Sequence, residues 1–478
     1  MVKSGKNKLY KDFAWYFSGN IATIIIAIIK SPIFTRHYTP EEYGNYTIVT
    51  VTFSILSIIL FTSASSCIWR FYNQYKIKNR LDLLYGMLLL FYGASIIVLA
   101  TISGLWHIFS VNETYQYLIF LSFIQFVSNE IILVFMIIFK LERKAGIYTI
   151  LNSARTILTF LVLLFLAFVC DMSIESLIVS AIFINLAVLL ILLVVARKKI
   201  IFSFGFNKHE ISEMFSFGLM SILFKLGFTL LVSSDRYFIK FFDNINNVGV
   251  YNQVYNLGQI SLDSLIIVFF SSVSPILNEH LTISIARCNK LIRKYIKIYI
   301  QYFTPVLVYL VLYSETIAKI LLGPEFQTGS SILPYIFISS YLYGITNFYE
   351  LKLKFENRLN LLLWGIIASL VVNCVLNIIF IPTFGYKAAA FTTLIGFALL
   401  FMLYQTRNSF NYLKQKRNSY HLLFIAFVLL IQVIIHFSLK SFIRCEQNIF
   451  YEVIEGIIFS IVFLYSIYRF NKKHIAAA

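Results

Sequence analysis

The sequence predicts an all-α integral membrane protein of about fourteen transmembrane helices, and three observations predict it. Hydrophobic residues make up 59% of the 478 positions and charged residues only 13%, roughly half the usual charged share. That leaves too little polar surface to clothe water-soluble domains of this total length. Runs of the ~20 apolar residues that a helix needs to cross a ~30 Å hydrocarbon core recur along the chain. The basic residues collect between alternate runs.

The first run, 13–34, follows Lys3, Lys6, Lys8 and Lys11 as the core of a signal peptide would. Lys30 interrupts it and no small-residue cleavage site follows, so it reads as an uncleaved first span. Runs 43–69, 83–112, 176–196, 244–262, 326–349, 359–386, 388–406 and 418–439 contain no Asp, Glu, Lys or Arg. Runs 115–138, 147–169, 211–234, 296–313 and 449–468 are long enough but carry an internal or flanking charge. At about 34 residues per span, loops included, no room remains for a folded domain outside the bilayer. The terminal alanines 476–478 are set aside.

Forty Lys and Arg against 22 Asp and Glu leave a net charge of +18, which at first suggests an anionic partner. Sorted by alternate loops, thirty basic residues fall on the side of the N-terminal tail and seven on the other, with Lys30, Arg155 and Lys225 inside spans. The positive-inside rule then puts both termini of this multi-pass protein in the cytoplasm. Most of the excess is topology plus attraction to anionic lipid, and its spread over eight short segments argues against nucleic acid. Cys67, Cys170, Cys288, Cys374 and Cys445 are odd in number and scattered, so neither a disulfide framework nor a metal site is expected. The seven histidines have no ligand spacing, and the chain has no phosphate-binding Walker loop.

The chain also repeats itself. The first span leads to Arg36 and then to Tyr43-Gly44-Asn45-Tyr46; the seventh leads to Asp235-Arg236 and then to Val248-Gly249-Val250-Tyr251. A charged hairpin followed by Gly-x-Tyr at matching places implies two parallel six-span halves, 1–200 and 201–410, with the last two spans and tail in 411–478.

At these residues the sequence resembles the polysaccharide exporters and O-antigen flippases (Wzx type) of the multidrug/oligosaccharidyl-lipid/polysaccharide superfamily. The strongest segment is Ser31-Pro32-Ile33-Phe34-Thr35-Arg36-His37-Tyr38-Thr39-Pro40-Glu41-Glu42-Tyr43-Gly44. Further matches are Ser234-Asp235-Arg236-Tyr237-Phe238-Ile239 followed by Val248-Gly249-Val250-Tyr251, Leu321-Leu322-Gly323-Pro324-Glu325-Phe326 and Ile381-Pro382-Thr383-Phe384-Gly385-Tyr386-Lys387-Ala388-Ala389-Ala390. The resemblance implies two six-helix lobes related by a pseudo-twofold axis around a central cavity, two added C-terminal helices, and alternating access. It implies a cargo of oligosaccharide on undecaprenyl pyrophosphate, moved between leaflets for O-antigen, capsule or related glycan synthesis. Some relatives carry lipid-linked peptidoglycan precursor or drugs. A teichoic-type glycan is a further alternative, and a membrane glycosyltransferase or polymerase is disfavoured by the short loops. No catalytic role and no cofactor are expected; glycan-assembly proteins such as a polymerase are candidate partners of a monomer.

Moving a diphosphate through a bilayer requires a wet path lined by cations, and ionisable residues inside spans mark such paths. Lys225 lies ten residues before Asp235, ~15 Å along a helix and close to mid-bilayer, which makes it the first candidate for substrate binding. The competing reading is an ion pair with Asp263, deep in the eighth span. Lys30 and Arg155 stand a turn or two from their helix ends and either line the cavity or snorkel to the interface. Arg36, Arg70 and Arg236 stand at span ends, where a guanidinium fits a diphosphate and a hairpin carboxylate equally well. Glu130 and Asp263 are the buried acids, candidates for coupling transport to a proton or sodium gradient and equally for balancing Lys225 and Arg155.

Overall fold

A computed structural model describes residues 21–407 except 111, 197–200, 206 and 284, together with six isolated positions outside that range. The predicted spans 418–439 and 449–468 lie outside the described residues. The described chain is helical, from α1 (Ile21–Phe34) through α2 (Pro40–Ile77), α3 (Leu81–Phe109), α4 (Glu113–Leu141), α5 (Ala145–Phe168), α6 (Ser176–Ala196) and α7 (Lys208–Ser233). It continues with α8 (Asp235–Phe242), α9 (Ile245–Ile283), α10 (Ile285–Leu312), α11 (Ser314–Leu321), a 3-10 segment (Pro324–Ile332), α12 (Leu333–Phe355), α13 (Leu359–Phe384) and α14 (Tyr386–Arg407). Each of the twelve spans expected up to residue 406 is met by a helix.

The helix ends show why the loops are short. Thr39 caps α2 in a capping box: Glu42 N donates to Thr39 Oγ1 at 3.3 Å and Thr39 N donates to Glu42 Oε2 at 2.8 Å, with Pro40 in the first turn. Asn207 and Glu210 do the same for α7. At the other ends, Asn79, Arg143 and Asn357 take left-handed backbone, with φ of 52°, 55° and 56°. The residue after each donates back to the carbonyl five residues earlier at 2.9 Å (Arg80 to Tyr75, Lys144 to Phe139, Arg358 to Leu353), which closes a Schellman turn. One turn design thus recurs at three of the predicted basic loops.

Two details differ from the sequence expectation. Helices α2 and α9 run for 38 and 39 residues, ~58 Å and well beyond the hydrocarbon core. The expected hairpin at 235–240 is the helix α8, with Asp235 in its first turn and Lys240 in its last, the arrangement that suits a helix dipole.

The chain divides into two compact units, 1–252 and 253–478. In the first, α2 packs against α3, α4 and α7, and α4 against α3, α5 and α6; Ile132, Met136, Val188 and Leu192 form a core between α4 and α6. In the second, α12 packs against α10, α13 and α14, and α13 lies along α14. Large apolar residues such as Leu190, Ile191, Trp364 and Ile379 point outward, as lipid-facing positions do. The two repeat glycines have a shared purpose within the first unit. A Cβ on Gly249 would lie 1.9 Å from Pro40 O and 2.9 Å from Gly44 N, and one on Gly44 would lie 2.1 Å from Ile245 O. The starts of α2 and α9 therefore cross backbone to backbone, which only glycine permits.

Candidate functional site

Lys30 and Arg155 come together. They line one cavity of about 220 Å³ in the first unit, built from α1, α4, α5 and α6, with Gln125, Asn129 and Asn185. Arg155 lies ten residues into α5, ~15 Å from its start, deeper than the helix-end position read from the sequence. Its Nη2 donates to Asn129 Oδ1 at 2.6 Å, and Asn185 Nδ2 donates to Ser128 Oγ at 3.3 Å. Lys30 is half-buried, four residues before the end of α1.

Lys225 belongs to a second polar group in the same unit. It is exposed on α7 and lies within electrostatic reach of Glu130 on α4, which also accepts a hydrogen bond from Ser57 Oγ on α2. Tyr92 of α3 is close to the same carboxylate, and its hydroxyl is buried without a partner. Of the two acids weighed as partners for Lys225, Glu130 is therefore an electrostatic neighbour.

Arg236 is held in a closed network. It is 3% exposed and Asp235 is 1% exposed. Its Nη1 meets Asp235 Oδ1 at 2.6 Å and donates to Val232 O, its Nε donates to Asn252 Oδ1 at 3.3 Å, and its guanidinium lies 5.1 Å from the Tyr251 ring. Tyr251 Oη donates to Asp235 Oδ2, and Asn252 Nδ2 donates to Thr47 Oγ1 at 3.0 Å. Arg70 is exposed over the Phe217 ring at 4.5 Å. Arg36 is exposed after α1, with Nη1 donating to Pro32 O at 2.7 Å.

Asp263 lies in the second unit, half-buried on α9 beside Ser340 of α12, with its Oδ1 lacking a hydrogen-bond partner. In the same unit, α13 and α14 share an uncharged network. Asn373 Nδ2 donates to Thr393 Oγ1 at 3.3 Å, Asn377 Nδ2 donates to Asn373 Oδ1 at 3.2 Å, and Thr392 Oγ1 donates to Asn377 Oδ1.

The amides were missed by a reading that followed charge alone. Gln125 and Asn129 are four apart on one helical face, and Asn185 is the only amide of α6, whose other polar residues are Ser176 and Ser180; both signals were present. Lys352, counted among loop cations, lies inside α12 at 1% exposure with its Nζ 3.6 Å from Glu356 Oε1.

The described helices, long and apolar with ionisable residues inside them, are those of a multi-pass membrane protein. Residues 9–281, more than half of the chain, match the polysaccharide biosynthesis protein family, and the chain belongs to that family. Its fold is similar to the lipid II flippase MurJ in an inward closed conformation, with a TM-score of 0.67 at 16% identity over 96% of this chain and 98% of that one. It is also similar to a point mutant of the Vibrio cholerae MATE transporter VcmN, with a TM-score of 0.59 at 11% identity over 84% and 97%. An inward-facing multidrug resistance MATE family transporter gives 0.60 at 14% identity over 80% and 92%. No curated protein matches the sequence.

Proposed function

We propose that the chain is a flippase that moves undecaprenyl-pyrophosphate-linked oligosaccharide repeat units across the bacterial cytoplasmic membrane by alternating access, for O-antigen, capsule or a related surface polysaccharide. Family membership supports the glycan pathway. The observation that carries the transport step is Lys225, exposed eight residues before the end of a spanning helix. An ammonium at that depth facing lipid would cost several kcal/mol, which supports reading its exposed position as part of a wet, polar surface along which a diphosphate passes. Glu130 beside it, and Asp263 in the second unit, are the groups through which a proton or sodium gradient would drive the cycle. The partition of thirty basic residues against seven supports cytoplasmic termini.

The test is accumulation of lipid-linked repeat units inside cells whose only copy is Lys225→Ala. Tenfold or greater loss of surface glycan is expected, with partial function in Lys225→Arg. Normal surface glycan in Lys225→Ala at normal protein level would overturn the reading.

A further inference from the structure

We infer that the pocket between α1, α4, α5 and α6 is a binding site for a phosphate-type oxyanion, with Lys30 and Arg155 as its charged ligands. Three features of the pocket lead there.

Size comes first. About 220 Å³ is below the ~300–1,000 Å³ of sites that take drug-sized ligands, so the pocket suits a group of a few heavy atoms. Every lining residue belongs to the first unit.

Charge comes second. The lining contains two cations and no Asp or Glu, and among the described residues neither cation is in an ion pair. Two like charges brought together within a span repel each other and lose hydration. An anion between them offsets both costs at once.

The donor set comes third. Asn129 Oδ1 accepts from Arg155 Nη2 at 2.6 Å, which fixes the guanidinium plane and leaves its other N–H groups for a ligand. A planar fork matches the oxygens of a phosphate and is of little use to a halide. The Gln125 amide also lines the pocket, and its Oε1 is buried without a partner; turned end for end, the same amide offers an N–H₂ group. Thr156 and Thr159 and the apolar Ile26, Phe160, Leu163 and Ala181 complete the wall, and the apolar part lowers the local dielectric and strengthens these contacts.

The anion has two sources, a free phosphate or pyrophosphate ion and the phosphate of a polyprenyl lipid. Naming the second rests on the flippase reading; the anion chemistry does not. The experiment titrates sodium pyrophosphate, with sodium chloride as comparator, into the full chain in lipid nanodiscs and reads binding by calorimetry. Native mass spectrometry of nanodiscs doped with undecaprenyl phosphate forms a second arm.

Pyrophosphate should bind the wild type more tightly than chloride. Arg155→Gln and Lys30→Gln should each weaken it about tenfold or more, as expected for loss of a charge-assisted contact, and Lys30→Arg should retain it. Should Arg155→Gln not fold, Ala181→Leu fills the pocket without removing charge and should block binding. Undecaprenyl phosphate retained by the wild type but lost in these variants assigns the site to the lipid; equal retention assigns it to the free ion. Unchanged pyrophosphate affinity in the variants, or none beyond that of chloride, overturns the site. The two proposals separate in the Lys225→Ala background: whatever happens to flipping there, adding Arg155→Gln should still lower the remaining pyrophosphate affinity about tenfold, and no further loss would overturn the pocket alone.

Discussion

The interiors of the two units solve the same problem differently. Both carry polar residues within spanning helices, where an unsatisfied group is costly. In the second unit, Asn373, Asn377, Thr392 and Thr393, all at most 1% exposed, satisfy one another without charge. In the first unit, Lys30 and Arg155 share a cavity and Lys225 is exposed beside Glu130. A closed neutral network stabilises a helix pair and offers nothing to a ligand. Open cations do the opposite, and their retention makes sense where a mobile anion completes them.

Arg236 breaks the simple contrast, because it is a charge of the first unit that is fully enclosed. Arg236→Ala leaves Asp235 buried with the Tyr251 hydrogen bond but without its cation, and removing one partner of a buried ion pair costs about 3–5 kcal/mol. A large fall in thermal stability of the purified protein is therefore expected, measured by tryptophan fluorescence or calorimetry. The double variant Asp235→Asn with Arg236→Met should lose much less, since no orphaned charge remains. Equal losses in the single and double variants would mean that Arg236 acts through something other than its ion pair.

The same question put to the second unit has a smaller answer. Asn377→Ala removes the donor to Asn373 Oδ1 and one of the two acceptors of Thr392 Oγ1, which keeps Ala389 O at 2.9 Å, so the loss of the buried Asn373 contact should cost about 1–3 kcal/mol. Asn377→Leu with Thr392→Val, which removes both sides of that contact, should be milder. Neither change should alter the pyrophosphate affinity of the first unit, and a change there would mean that the neutral network is coupled to the charged pocket.

This contrast was only partly legible in the sequence. Helix positions were, because the apolar runs are long and their ends carry charge, and the Gly-x-Tyr repeat pointed to two residues that meet in a backbone crossing. Lys30, Arg155, Lys225 and Glu130 could be picked out as costly residues within spans. Their grouping could not: which of several helices lie side by side depends on packing, and Lys30 finds Arg155 on a helix more than a hundred residues away. Arg36 and Arg236 occupy matching places in the repeat yet differ completely in exposure, since Asp235 and Tyr251 fold over one of them. Spacing along the chain carries no record of that enclosure.

The smallest effect lies at the rim of the first unit, where charge is both paired and solvated. Glu142, just past the end of α4, accepts hydrogen bonds from Tyr72 Oη at 2.9 Å and from Lys144 Nζ. Burial alone would raise its carboxyl, but the hydrogen bonds from Lys144 and Tyr72 outweigh it and hold the group below its ordinary value of 4.5. A carboxyl depressed in the folded protein adds stability that is complete above its unfolded value and is lost as pH falls through the folded one. Wild-type thermal stability should therefore decline below about pH 4.5 more steeply than that of Glu142→Gln. Solvent screening limits the difference to about 1 kcal/mol or less. If the two pH profiles were parallel, the rim pair would contribute nothing measurable, and the energetic weight of charge in the first unit would rest on its enclosed and cavity-lining members alone.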